Sequence, residues 1–160
     1  MNTGVTAGID ATHFGPNLQC TRAQIMTFLW KANGSPEPKT TKNPFTDVAP
    51  NNYYYKPVLW AVENGITTGT TATTFSPNVA CTRGQVVTFI WHSNGDPQAI
   101  ARVNPFGDVK PTNYYYNPVM WAVYNGITSG TTEKTFSPNQ TCTRAQIVTF
   151  IWKSIESPVP

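Results

Sequence analysis

The sequence predicts an all-α fold, mainly helical with long loops: a pseudo-threefold bundle of 61-residue helix–loop–helix repeats. Three observations carry this. Cys20, Cys81 and Cys142 stand 61 residues apart, with no insertion between them. Thr21-Arg22-Ala23-Gln24, Thr82-Arg83-Gly84-Gln85 and Thr143-Arg144-Ala145-Gln146 then follow as three copies of one helix-start signature. Of the 20 aromatic residues, all but Tyr124 occupy repeat-equivalent positions. A fixed internal period decides the architecture before any local reading.

The period divides the chain into units at 1–37, 45–97 and 105–157, joined by linkers 38–44 and 98–104, all within one domain. Residue 1 aligns with Val62, so the first unit holds only the C-terminal half of the repeat. Gly4-Val5-Thr6-Ala7-Gly8 is its copy of Gly65-Ile66-Thr67-Thr68-Gly69 and Gly126-Ile127-Thr128-Ser129-Gly130.

Each complete unit opens with a helix, expected at 53–64 and 114–125. Pro57 and Pro118 suit a first turn, where the amide has no intrahelical partner. Asn64-Gly65-Ile66 and Asn125-Gly126-Ile127 read as helix ends, with Gly in the left-handed position and an apolar residue packing back. The loop that follows carries Phe75-Ser76-Pro77-Asn78, which is turn chemistry. The second helix starts at a capping box: Thr accepts from the amide of Gln, and Gln reaches back. Behind it, Val86, Phe89 and Ile90 mark a buried stripe at helical spacing.

Composition excludes several classes. Only 12% of the 160 residues are charged, against about 25% in a usual soluble domain, so 24 Thr and 14 Asn solvate much of the surface. A net charge of +3, dispersed along the chain, makes no nucleic-acid footprint. The longest apolar runs, such as 86–91, fall far short of the roughly 20 residues that span a bilayer. Met1-Asn2-Thr3-Gly4 has neither the basic start nor the apolar core of a signal peptide. Neither a membrane insertion nor a nucleic-acid partner is expected, and no cofactor motif is present.

Each Cys precedes the N-cap Thr and faces Ile25, Val86 or Ile147, a hydrophobic-staple position where a free thiol packs as a small apolar residue. The other reading, a metal held by all three, has no repeating His or carboxylate beside it, and no metal site is assigned. Arg22, Arg83 and Arg144 are three of only four Arg, Arg102 being the fourth. Each sits at the first position of a helix, where the macrodipole costs a cation about 0.3–1 kcal/mol. Something negative must compensate. One candidate is internal, Asp47 and Asp108, the two acids that repeat; the other is an external anion held by the Arg fork and the free amides of the helix start.

Tyr53-Tyr54-Tyr55 and Tyr114-Tyr115-Tyr116 cannot all face one core, so at least one Tyr per unit is exposed and suits a sugar face. Trp60 and Trp121 lie mid-helix, a core position that also allows ring contact with a ligand. Gly69 and Gly130 either supply special backbone angles or admit a ligand close to the chain. No carboxylate pair of unlike environment stands out for hydrolysis, and His13 and His92 are not repeat-equivalent. No catalytic residue is assigned, and the chain is not expected to be an enzyme.

These residues together resemble the S-layer homology family of bacterial envelope proteins. Its pattern appears here as Phe45…Asp47-Val48, Gly65-Ile66…Gly69, Phe75…Pro77 and Thr82-Arg83-Gly84-Gln85, and again from Phe106 to Gln146. The resemblance implies a non-catalytic anchor at the bacterial cell wall, outside the cell, with three repeats gathered into a three-pronged helical spindle. It implies that grooves between repeats hold an anionic secondary cell-wall polysaccharide, pyruvylated for example, against Arg22, Arg83 and Arg144. Gln24, Gln85 and Gln146, in the place of the family Glu, would border those grooves. Asp47, Asp108, Tyr54, Tyr115, Trp60, Trp121, Gly69 and Gly130 complete the candidate set. The alternative is a protein-interaction or adhesive module on the same fold. The absent front half of unit one is expected to remove one of three helices from the core and one groove wall. Met1 falls mid-repeat, which reads as a fragment of a longer chain, or as a chain that completes its bundle by self-association.

Overall fold

The protein is described by a computed structural model covering residues 5–6, 8–98 and 103–156. Gly4, Ala7, Arg102, most of linker 98–104 and the last residue of unit three lie outside the described residues. Five helices follow in order: α1 (Arg22–Ala32), α2 (Tyr55–Glu63), α3 (Arg83–Ser93), α4 (Tyr116–Tyr124) and α5 (Arg144–Glu156).

Helices α1, α3 and α5 start where the capping boxes place them. Gln24 Oε1 accepts from the Thr21 amide at 3.0 Å while Thr21 Oγ1 accepts from the Gln24 amide at 3.4 Å. Thr82 with Gln85 and Thr143 with Gln146 repeat this geometry. Helices α2 and α4 start two residues later than the sequence predicts. The cause is a turn: the Tyr55 amide donates to the Asn52 carbonyl at 3.0 Å, so Tyr54 becomes an N-cap without a side-chain bond. Their ends match the prediction. Gly65 takes φ +69°, its amide donates to Val62 O, and the Ile66 amide reaches back to Ala61 O at 2.8 Å. This closes the helix and buries Ile66 to 2% exposure.

Packing sorts the helices into two ranks. Helices α1, α3 and α5, one from each unit, pack on one another around the pseudo-threefold axis. Helix α2 seats on α1 and α4 on α3, each against the second helix of the preceding unit. This corrects the expectation about unit one. The central three-helix core is complete, because the opening helices are the outer rank, and the residues present in unit one supply its inner helix.

A ring of main-chain hydrogen bonds closes around the axis. The Cys20 amide donates to Cys142 O (3.2 Å), Cys142 to Cys81 O (3.0 Å) and Cys81 to Cys20 O (3.0 Å). All three thiols are free and fully buried. Among the described residues, no group of three metal-ligating side chains is placed to hold a metal ion.

Burial pushes the Cys20 and Cys81 thiols up to about 12 and Cys142 up to about 11. Since the folded values are raised, this part of the stability is fully present below the unfolded thiol value near 8.5. It is lost as pH rises toward 11, at roughly 4 kcal/mol per pH unit for three thiols together. Urea unfolding under reducing conditions is expected to show a stability plateau to about pH 8 and a steep fall above it. Cys81→Ala should reduce the slope by about a third.

Candidate functional site

The three Arg side chains lie at the seams between units, each reaching from one unit into the next. Arg22 Nε donates to Phe75 O at 2.7 Å and its Nη2 to Thr67 Oγ1 at 3.4 Å. Arg83 Nε donates to Phe136 O at 2.9 Å and its Nη2 to Ser129 O at 2.7 Å. Arg144 closes the circle, Nε donating to Phe14 O at 3.0 Å and Nη2 reaching Thr6 Oγ1 at 3.5 Å. Each guanidinium also lies over two Phe rings of the next unit; Arg83 Cζ is 4.5 Å from the Phe136 centroid and 5.8 Å from Phe150. All three are only 3–4% exposed. Burial pulls Arg22 and Arg83 below the usual guanidinium range, though an Arg keeps its charge.

The repeating acids meet these Arg residues through one peptide group. The Ser76 amide donates to Asp47 Oδ2 at 2.7 Å, and the carbonyl of the same peptide, Phe75 O, accepts from Arg22. The Phe75 amide donates to the other Asp47 oxygen at 2.8 Å. Asp108, Ser137 and Phe136 repeat the relay with Arg83. The clamp holds Ser76 and Ser137 at φ +59° and +58°, a region that costs a non-glycine residue about 1 kcal/mol or more. Among the described residues neither Arg22 nor Arg83 forms a direct ion pair with either acid.

The helix-start amides are not free, which corrects the expectation that they add donors to a ligand. The Arg22 amide donates to Val79 O and the Ala23 amide to Pro77 O, both at 2.9 Å. Arg83 and Gly84 donate likewise to Gln140 O and Pro138 O, and Arg144 and Ala145 to Leu18 O and Pro16 O. The third amide is taken by the N-cap Thr. Carbonyls of the neighbouring loop thus supply the negative potential that an Arg at a helix start requires.

The side-chain charge still reaches solvent-filled space. A cleft of about 530 Å3 is lined by Arg83, Ser129, Gly130, Gln146, Phe150 and Lys153, among others. Its symmetry mate, about 370 Å3, holds Arg144, Gly8, Gln24, Phe28, Lys31 and Tyr53. At each place a buried Arg stands at the floor and a half-buried Lys beside it. The bonds above use two of the five guanidinium N–H groups. The other three of Arg83 donate to no protein acceptor among the described residues. At the Arg22 seam the Lys position is His92, whose Nδ1 lies 2.6 Å from Asp96 Oδ1, so the three seams are not equal.

The remaining candidates sort by position. Gln24 and Gln146 line the clefts while capping their helices; Gln85 caps α3. Gly130 lines a cleft, and a side chain there or at Gly69 would collide with the ring of Phe106 or Phe45 and with loop carbonyls. Tyr54 and Tyr115 are half-buried N-caps, and Tyr115 packs on Gly84. Trp60 and Trp121 are buried at 7% and 5% exposure; Trp60 edges a separate cleft with Asn33, Glu63 and His92. Tyr53 and Tyr114 are the exposed rings, at 64% and 65%, and Tyr53 enters the Arg144 cleft. Burial raises both phenols, with the Arg144 or Arg22 charge opposing it.

Sequence reasoning missed Lys31 and Lys153, and within the triplet Tyr53-Tyr54-Tyr55 it singled out Tyr54, whereas the ring lining the cleft is Tyr53. The two Lys occupy one repeat position, seven residues after the motif Gln (Gln24 and Gln146), and that recurrence was a signal available in the sequence.

Comparison with known proteins gives one family and two relatives. The S-layer homology domain pattern matches residues 44–87 and 105–148. The chain is 32% identical over 120 residues to an endoglucanase of Bacillus sp. (strain KSM-635), covering 75% of this chain and 12% of that protein. It is 30% identical over 165 residues to the surface-layer 125 kDa protein of Lysinibacillus sphaericus, covering 98% of this chain and 13% of that one. The chain therefore spans about an eighth of the length of these relatives.

Proposed function

Because the chain belongs to the S-layer homology family, we propose that it is a non-catalytic cell-wall anchoring module whose seam clefts hold an anionic secondary cell-wall polysaccharide. The observation that carries this reading is the buried, unpaired charge of Arg83 at the floor of a cleft that also holds Lys153. A carboxylate-bearing sugar, such as a pyruvylated residue, accepts from the spare guanidinium N–H groups and adds a direct ion pair where Asp108 reaches Arg83 only through a peptide group. In the Arg144 cleft the exposed face of Tyr53 stacks on the ring C–H groups. The endoglucanase activity belongs to the relative that carries that name, of which this chain matches a small part.

Several shallow clefts on one chain act together, since once one is filled the next meets polymer at high effective concentration. Co-sedimentation with purified wall sacculi tests the reading. Binding is expected to disappear once the secondary polymer is chemically removed, and to weaken as salt rises from 0.05 M to about 0.5 M. Equal binding to stripped sacculi would transfer the ligand to peptidoglycan. No binding to either would favour the protein-interaction reading.

A further inference from the structure

The seams differ in the side chain that stands beside each buried Arg. One repeat position of the inner helices is Lys31 on α1, His92 on α3 and Lys153 on α5. It follows by three residues the rings of Phe28, Phe89 and Phe150, over which Arg144, Arg22 and Arg83 lie with Cζ 5.3, 5.3 and 5.8 Å from the centroids. Two seams therefore join their Arg to a permanent cation. The third joins it to an imidazole, a group that changes charge between about pH 5 and 8.

The carboxylates are distributed to match. Among the described residues, none lines the Arg83 cleft or the Arg144 cleft. His92 faces a different set. Its Nδ1 lies 2.6 Å from Asp96 Oδ1 at the end of its own helix, and its ring packs on Trp91 with centroids 5.0 Å apart. The cleft it lines, about 620 Å3, also holds Glu63 from the end of α2, with Glu37 and Lys39 from the segment that joins α1 to α2. Glu37 is paired with Lys56 at 2.6 Å, and Glu63 accepts from the Lys39 amide at 2.9 Å. Among the described residues, no charged side chain of α1, α4 or α5 lines this cleft.

With a neutral imidazole, Arg22 and Lys39 are matched by Asp96 and Glu63, so a carboxylate entering the seam meets no excess of positive charge. The contact with Asp96 places the ring proton on Nδ1 and leaves Nε2 with a lone pair, which repels a carboxylate. Protonation reverses both effects, adding one charge and making Nε2 a donor. We infer that the Arg22 seam is a third site for a carboxylate-bearing sugar, filled when His92 is protonated and empty when it is neutral, whereas the two Lys seams hold the sugar in both conditions. This inference rests on the polysaccharide reading above.

Co-sedimentation of the whole chain with polymer-bearing sacculi at about pH 5.5 and about pH 8, at constant ionic strength, tests it. The wild-type chain is expected to bind about fivefold more tightly at the lower pH, because a third cleft joins two on one polymer. His92→Lys should bind at the higher pH as tightly as the wild type does at the lower. His92→Gln should bind at both as weakly as the wild type does at the higher. Titration of the wall itself acts on all three chains alike, and His92 is half-buried, so both variants keep the core. His13→Gln removes the other histidine of the chain and should leave the pH effect in place. Equal wild-type binding at both pH values overturns the inference, as does a pH effect that survives both His92 variants or disappears with His13→Gln. Absence of wild-type binding at either pH overturns the polysaccharide reading and this inference with it.

Discussion

Arg83→Ala is expected to lower the stability of the domain by about 3 kcal/mol, seen in urea as a lower midpoint with an unchanged slope. The side chain makes two charge-assisted hydrogen bonds, to Phe136 O and Ser129 O, and lies over two Phe rings. Deleting it leaves two carbonyls without their donor and a void at the seam, each a loss of order 1–3 kcal/mol. Release of a buried charge offsets part of the sum. Arg83→Lys should recover less than half, because a single ammonium cannot match the fork that bonds two carbonyls at once. A loss of wall binding in Arg variants therefore says little about ligand contact unless unfolding is measured beside it.

The double variant Lys31→Gln with Lys153→Gln reduces that confusion and is expected to weaken binding to polymer-bearing sacculi by more than tenfold, while stability falls only by the loss of two last-turn cations, about 0.3–1 kcal/mol each. Both side chains line seam clefts and neither is engaged in a salt bridge among the described residues. Each loss removes about 1 kcal/mol of attraction for an acidic sugar, roughly fivefold. Two weakened clefts on one polymer multiply rather than add. The difference between variant and wild type should shrink at high salt, as screening removes what the Lys contributed. A double variant that sediments like the wild type would show that the clefts are not where the polymer sits.

How much could be read in advance depends on the range of each interaction. The capping boxes lie within four residues, and Thr21 with Gln24 acts as its sequence says. Gly65 and Ile66 end their helix for the same local reason. The link from Arg22 to Phe75 spans 53 residues and that from Arg144 to Phe14 spans 130. Repetition marked both partners as important, but which unit's Arg meets which unit's loop is a property of the closed ring. Among the candidate site residues, Tyr53 and Tyr54 are adjacent, and the turn at Asn52 decides which ring faces solvent. Consumption of the helix-start amides was likewise invisible, since the accepting carbonyls belong to another unit.

The ring of amides through Cys20, Cys142 and Cys81 has a consequence for how the chain folds. Stacked repeat proteins are open-ended: each unit touches its neighbours, and stability grows unit by unit. Here the last unit bonds to the first, so the final contacts join segments more than 120 residues apart. Closing so large a loop carries an entropic cost that shorter contacts do not, and high contact order slows folding. Unfolding should accordingly be a single cooperative event rather than fraying from one end. During synthesis, the ring cannot close until α5 has left the ribosome, so the first unit waits for the last.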